Sequence, residues 1–329
     1  MSNYGVITGW GKYLPQRVLT NRDLERMVDT SEEWILTRTG IRERRIVGDD
    51  ESASTMAVEA GRRALEVAGL SPDLLDLIIV ATLSPDKLIV ASASLVQDAL
   101  GARKAAAFDV VAGCSGFIYA LAAAYQFISS GAYRNILVVG SEALTRYINW
   151  EDRGTCVLFG DGAGAVVVQA NDRATDVLHF LLGSDGSGAN LLYVPSPCDR
   201  LSEMRKDGHL HLIMEGRGVF KFAVTAIVEA SRQVIEAAGL QLSDIDLFIP
   251  HQANGRIIQA AARSLGIPSK KVYVNVDRYG NLSAASPPVA LCEAVEEGRI
   301  KAGDLVLLVA FGAGLSWAAM LLRWQAGLA

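Results

Sequence analysis

The stretch AVEAGRRALEVAGLSPDLLDLIIVA (residues 57–81) lines up without gaps on IVEASRQVIEAAGLQLSDIDLFIPH (residues 227–251), 170 positions further on. Each copy reads as an amphipathic helix, a Gly-Leu stop, a polar turn with an aspartate, and a short apolar strand. Identities at Val58/Val228, Glu59/Glu229, Ala60/Ala230, Arg62/Arg232, Gly69/Gly239, Leu70/Leu240, Asp76/Asp246 and Leu77/Leu247 run through helix, turn and strand. The chain is therefore a duplication. A second pair follows, CSGFIYALAAAYQFISSGAYRNILVVG from residue 114 and NLSAASPPVALCEAVEEGRIKAGDLVLLVA from residue 281. Aligning Gly131 with Gly298, a shift of 167, sets Cys114 opposite Asn281 at the same helix start.

Helices alternating with fully apolar strands predict an α/β fold whose parallel or mixed sheets are covered on both faces. The join falls near the polar segment QANDRATD (169–176), giving an N-terminal half over 1–172 and a C-terminal half over 173–329. In such sheets ligand chemistry sits where strands end and helices begin. Cys114 follows FDVV, His251 follows LFIP, and Asn281 follows VYVNV and a short turn. Packed about a pseudo-twofold axis, the two halves would bring all three to one cleft.

At 329 residues, half of them hydrophobic and 20% charged, the chain can bury a large core and is no candidate for disorder. A net charge of −5 argues against a general nucleic-acid binder, though not against a local basic patch. The opening MSNYGVITGWGKYLPQ lacks the pattern of a signal peptide, and the apolar run around 105–128 is broken by Asp109, Gly113, Gly116 and Gln126. A cytoplasmic enzyme that enters no membrane is expected. The cysteines at 114, 156, 198 and 292 have no CxxC spacing, so neither a zinc site nor a disulfide framework is indicated.

Each candidate residue has a plain alternative. Cys114, between Gly113 and Ser115-Gly116, is either a nucleophile whose thiolate the helix N-terminus favours or a small buried residue at a tight turn. His251 is a site residue or a satisfied structural histidine, and Asn281 a site residue or a turn asparagine. His209 and His211 form an HxH pair without a third ligand and read as surface strand. The glycine-rich FGDGAGAVVV (159–168) is no phosphate loop, because a β-branched strand follows it. It and FGAGLSW (311–317) mark close backbone approach, and the second can offer N–H donors to an oxyanion.

Together, DTSEEWILTRTGIRERR, FDVVAGCSGF, DRGTCVLFGDGAGAVVV, PHQANGRII, YGNLSAAS and FGAGLSW span nearly the whole chain. In order and spacing they resemble the thiolase superfamily, and within it the β-ketoacyl-acyl carrier protein synthase III family. The resemblance implies a thiolase-like five-layered αβαβα fold of two similar halves and a Cys114, His251, Asn281 triad. It implies an acyl-CoA primer that acylates Cys114, with the oxyanion held by the N–H groups of Cys114 and Ala313. Malonyl-acyl carrier protein would then lose carbon dioxide, and its enolate, held by His251 and Asn281, would attack the acyl-cysteine. No metal or redox cofactor is implied.

By the same resemblance Trp34 and Arg38 hold the adenine of coenzyme A, Arg153 closes its other side, and Gly216, Phe220 and Asn254 line the pantetheine tunnel. Arg256 and Lys221 correspond to contacts for the acidic carrier protein, and Arg256 shares a helix face with Arg263. A homodimer is implied, with Ile89 in the acyl pocket where relatives often carry a bulky aromatic across the dimer interface. Two departures stand out: Gly255, a glycine expected inside a helix, and Val90-Ala91 in place of a Pro-Ser pair. The alternatives are a related acyltransferase or a starter-unit synthase of a specialised, polyketide- or quinolone-type pathway. A non-catalytic chain-length factor would lack the cysteine, and a hydroxymethylglutaryl-CoA synthase would need a glutamate, for which Glu142 is a candidate by composition alone.

Overall fold

The computed structural model describes residues 4–172, 175–196 and 210–325, so Cys198 and His209 lie outside the described residues. The strands are β1 (Tyr4–Tyr13), β2 (Val18–Thr20), β3 (Glu43–Arg45), β4 (Leu77–Ala81), β5 (Ala106–Val110), β6 (Asn135–Glu142) and β7 (Gly162–Asn171). They continue as β8 (Val177–Ser184), β9 (Leu192–Tyr193), β10 (Ile213–Met214), β11 (Leu247–Pro250), β12 (Leu305–Gly312) and β13 (Ser316–Arg323). The α-helices are α1 (Asn21–Leu24), α2 (Glu32–Thr39), α3 (Ala53–Ala68), α4 (Ser92–Leu100) and α5 (Gly116–Ser129), then α6 (Arg153–Cys156), α7 (Gly216–Ala237), α8 (Gly255–Leu265), α9 (Val276–Tyr279) and α10 (Ser286–Glu296).

One sheet has the order β1-β7-β6-β4-β5 and a second the order β11-β12-β13-β8. Both are mixed: β4 runs parallel to β5 and β6, and β11 to β12, while the other pairs are antiparallel. Alternation along the strands builds the layers, because successive side chains leave a strand on opposite faces. Leu77 and Ile79 of β4, with Leu247 and Ile249 of β11, face a central core filled by α5 and α10. Ile78 and Val80 face outward onto α3 and α4, and Phe248 faces outward onto α7 and α8. A strand apolar on both faces is thus covered on both, and the stack is helix, sheet, helix pair, sheet, helix. No helix among the described residues is long and apolar enough to cross a membrane.

The repeat has a physical cause at its shared positions. Gly69 and Gly239 follow helices α3 and α7 with φ of 61° and 70°, a left-handed conformation that favours glycine. The carboxylate of Asp76 accepts the N–H groups of Arg134 and Asn135 at the start of β6, both at 2.9 Å. Asp246 accepts the N–H of Leu305 at the start of β12, also at 2.9 Å. Each aspartate therefore fixes the register of a neighbouring parallel strand. Helix α4, which begins after the Val90-Ala91 departure, has no cap from its own Ala91. Asp109 of β5 supplies one instead, accepting from the N–H groups of Ser92 (2.6 Å) and Ala93 (2.8 Å).

Candidate active site

Cys114 sits where β5 turns into α5. The turn needs Gly113 at φ 56°, and Ser115, next in line, is the residue before the helix. A second chain segment, the turn between β12 and β13, packs directly against it. A Cβ on Gly312 would lie 2.2 Å from the Cys114 nitrogen, and one on Gly113 would lie 2.6 Å from the Ala313 nitrogen. Only a glycine pair lets these backbones approach so closely. Ser115 Oγ donates to Ala112 O (2.6 Å) and hydrogen-bonds Ser316 Oγ (2.8 Å), clamping the two segments together. The backbone nitrogens of Cys114 and Ala313 thereby come close together beside the thiol, where the two donors of an oxyanion hole would stand.

His251 follows β11 immediately, its N–H donating to Val309 O at 2.7 Å, and it is fully buried with both ring nitrogens free of any protein partner. Its ring meets Phe311 edge-on at 5.3 Å. Gln252 locks the loop, its Nε2 donating to Pro250 O and Tyr273 O and its Oε1 accepting from the N–H groups of Asn275 and Val276. Asn281 is held by its backbone, which donates to Leu158 O at 2.8 Å, and its Oδ1 accepts from Ser283 N at 2.8 Å. With Oδ1 occupied, the amide nitrogen is the group left for the cavity.

Cys114, His251 and Asn281 line one narrow cavity of about 90 Å³ together with Gly216, Phe220 and Asn254. The sequence reading placed these six at a triad and a tunnel, and the fold brings them together. A second cavity of about 540 Å³ opens from the other side of Cys114, lined by Tyr119, Leu144, Leu192, Leu212 and Ala313 among others. The thiol thus stands between a narrow entry and a wide apolar chamber.

Electrostatics depart from the helix-terminus expectation for the cysteine. Burial pushes the Cys114 thiol up to about 12, against a lowering hydrogen bond from Ser283, and the nearby Glu142 carboxylate raises it further. Desolvation of the thiolate is the largest of the influences on it. Burial likewise pushes His251 down to about 3, so the imidazole is neutral at physiological pH. Glu142, at the end of β6, is fully buried, and burial pushes its carboxyl up to about 7.

At the surface, Trp34 and Arg38 line a shallow depression on α2. Arg153 lies directly over the Trp34 ring, 4.8 Å from its centroid, and donates to Asp29 O at 2.9 Å. An aromatic guest between the two needs Arg153 to swing outward. Arg256 stacks at 5.6 Å over Phe220, which lines the narrow cavity, and Lys221, next to Phe220 in sequence, is exposed. Ile89 lines neither cavity of its own chain: it is 98% exposed, flanked by Leu88 at 81%. Gly255 is the first residue of α8, after the cap Asn254, and not an interior glycine. Its Cβ would press on Thr39 O at 3.2 Å, so it lets the start of α8 meet the end of α2, where Asn254 Nδ2 donates to Arg38 O at 3.3 Å. Ser283, Phe311 and Gln252 escaped the sequence reading. Ser283 stands within the quoted YGNLSAAS, and its φ of 48° is visible only in the fold.

Residues 108–186 match the model of 3-oxoacyl-[acyl-carrier-protein] synthase III, and residues 235–324 match the model of its C-terminal part. The β-ketoacyl-[acyl-carrier-protein] synthase III of Caldanaerobacter subterraneus is 54% identical over 97% of this chain and 97% of its own. That of Roseiflexus castenholzii is 52% identical over 99% of this chain and all of its own. The crystal structure of 3-oxoacyl-[acyl-carrier-protein] synthase III from Aquifex aeolicus, 51% identical, covers 97% of this chain and all of its own with a TM-score of 0.91. With these matches running through both halves, and with the thiolase-like layering they share, the chain belongs to the 3-oxoacyl-[acyl-carrier-protein] synthase III family.

Proposed function

We propose that this chain catalyses the decarboxylative condensation of an acyl-CoA primer with malonyl-acyl carrier protein, initiating fatty acid synthesis through an acyl-Cys114 intermediate. The observation that carries the reading is the meeting of Cys114, His251 and Asn281 in one cavity beside the paired N–H groups of Cys114 and Ala313. The Cys114 sulfur attacks the thioester carbonyl, whose oxygen becomes an oxyanion facing that N–H pair, and coenzyme A leaves. The acyl chain occupies the wide chamber and the pantetheine the narrow one, past Phe220, Gly216 and Asn254.

Malonyl-acyl carrier protein then takes the place of coenzyme A. Neutral His251 has one ring N–H to give, and Asn281 has its amide nitrogen, so both donate to the enolate oxygen formed as carbon dioxide leaves. The enolate carbon attacks the acyl-cysteine and frees the sulfur. Each bond is made and broken by acid–base and carbonyl chemistry, so the reading assigns no metal or redox cofactor.

Trp34, Arg38 and Arg153 are read as the adenine site and Arg256 with Lys221 as the carrier-protein contact, on the family resemblance, on the stacking of Arg153 over Trp34 and on that of Arg256 over the cavity-lining Phe220. A homodimer is read from the free edge of β5 beside exposed Leu88, Ile89, Val90 and Val111, an apolar strand edge that calls for a cover. Ile89 would then close the chamber of the partner subunit. The cytoplasm is the expected compartment. Intact-protein mass spectrometry with acetyl-, isobutyryl-, hexanoyl- and decanoyl-CoA tests the reading. A gain of one acyl group that Cys114→Ala abolishes supports it, and no gain with any primer overturns it.

A further inference from the structure

The nucleophile is buried, its thiol is reluctant to ionise, and His251, the only imidazole lining the cavity among the described residues, hydrogen-bonds no protein group. One polar path leads away from it among the described residues. Ser283 lines the same cavity as Cys114, and its hydroxyl is the side chain that favours the thiolate against burial. The same hydroxyl donates to Glu142 Oε1 at 3.0 Å. The other carboxylate oxygen accepts from Ser84 Oγ at 2.6 Å and Leu83 N at 3.0 Å. A serine carries one O–H, so it cannot donate to sulfur and carboxylate at once. It can only face one way or the other, which is the property of a proton relay.

We propose that Glu142 takes the Cys114 thiol proton through the Ser283 hydroxyl, converting thiol, serine and carboxylate into thiolate, serine and carboxylic acid. In the resting arrangement the thiol donates to Ser283 Oγ and Ser283 donates to Glu142. As sulfur attacks, the S–H bond breaks, a new Oγ–H forms, the old Oγ–H breaks and an Oε1–H forms. Coenzyme A leaves as a thiolate and takes its proton from solvent. Glu142 keeps its proton while Cys114 is acylated, and returns it through Ser283 when condensation releases the sulfur. One proton is consumed from solvent per turnover, as the loss of carbon dioxide from a carboxylate requires.

The charge balance favours this route. A carboxylate beside a nascent thiolate would put two negative charges in one dry site, and Glu142 does raise the thiol for that reason. Moving the proton between them keeps the site at one negative charge throughout. Every described group that hydrogen-bonds the carboxyl is a neutral donor, from Thr82, Leu83 and Ser84 after β4 and from Ser283 and Ala284 before α10. Tyr147, the other titratable group that feels Glu142, is itself raised by burial and stays protonated. The proton affinity of Glu142, near 7, suits it to accept and return a proton at neutral pH, whereas His251 at about 3 could not hold one.

The test is the pH profile of Cys114 alkylation by iodoacetamide, a neutral reagent that needs no acyl-CoA. The wild-type profile is expected to show a reactive plateau from about pH 7, with a second rise at high pH, as a coupled pair requires. Glu142→Gln removes the acceptor and also a negative charge. Charge removal alone would lower the thiol pKa and raise reactivity at pH 7. Loss of the relay lowers it, by about tenfold or more, and erases the plateau. Ser283→Ala is expected to do the same with the carboxylate still in place. Unchanged or increased reactivity of Glu142→Gln overturns the proposal. Should the variants not fold, infrared difference spectra of wild-type enzyme on acylation decide: a new protonated-carboxyl band is expected, and its absence overturns the relay. The inference rests on Cys114 being the nucleophile of the proposed function, yet the two fail separately. Wild-type enzyme that no acyl-CoA acylates refutes the function, and a Glu142→Gln enzyme that acylates as well as wild type refutes the relay.

Discussion

Gly312→Ala is the substitution that most directly tests the paired N–H groups. The added Cβ would stand 2.2 Å from the Cys114 nitrogen and 2.9 Å from the Gly113 carbonyl carbon, where 3.4 Å is an ordinary contact. Both obstructing atoms are backbone, so no side chain can swing aside, and the segments must part by about 1 Å. Gly312 does not have a positive φ, so the substitution carries no left-handed backbone penalty and reports the displacement alone. A 1 Å misplacement costs on the order of 100-fold, and loss of one oxyanion donor about 100- to 1,000-fold. The acylation rate of Cys114, followed by quenched-flow intact-mass measurement, is therefore expected to fall about 100-fold or more. Overpacking should also cost about 1–3 kcal/mol in chemical denaturation. Gly9→Ala is the matched control: its Cβ would meet Ala64 O at 2.1 Å, between β1 and α3 and far along the chain from the site. It should lose similar stability while the folded fraction acylates at the wild-type rate. If Gly312→Ala acylates within about threefold of wild type, the Cys114 and Ala313 amides do not hold the oxyanion.

His251→Ala and Asn281→Ala should separate the two half-reactions: acyl-Cys114 still forms within a few-fold of wild type, while carbon dioxide release from malonyl-acyl carrier protein falls by about 100-fold or more. Trp34→Ala should raise the KM for acyl-CoA by about 2- to 12-fold and leave kcat unchanged, since aromatic stacking is worth about 0.5–1.5 kcal/mol and lies far from the thiol. Asp76→Ala and Asp246→Ala should each cost about 1–3 kcal/mol in urea melts by orphaning the N–H groups they accept, and the double variant should be additive because no partner is shared. Asp176 accepts Ile7 N at 2.5 Å, and burial pushes its carboxyl up from 3.8 to about 7. The folded state thus binds this proton more tightly than the unfolded one, so its stabilising effect is complete below about pH 4 and is lost as pH rises through 7. Asp176→Asn should flatten that slope of stability against pH; an unchanged slope would remove Asp176 as its source.

The layered architecture was legible because both halves obey local rules: periodic helices, left-handed glycine stops, and apolar strands that need cover on both faces. The matching of Cys114 with Asn281 at one helix start holds only in part: Cys114 lies two residues before α5, whereas Asn281 lies five before α10, with a 3-10 turn over Ser283–Ala285 between. Cys114, His251 and Asn281 converge because the halves pack with α5 and α10 in one layer, which no single half specifies. What stayed hidden depends on contacts between segments. Gly255 looks like a flaw in a helix until the end of α2 is seen against it, and Ala91 looks uncapped until Asp109 arrives from β5. Glu142 and Ser283 are 141 positions apart, and each is unremarkable in its own motif. The thiol illustrates the limit most sharply. Its place before a helix predicts an easy thiolate, yet the burial that forms the cavity raises the thiol instead, and the relay proposed for Glu142 is one way to reconcile a buried nucleophile with reactivity.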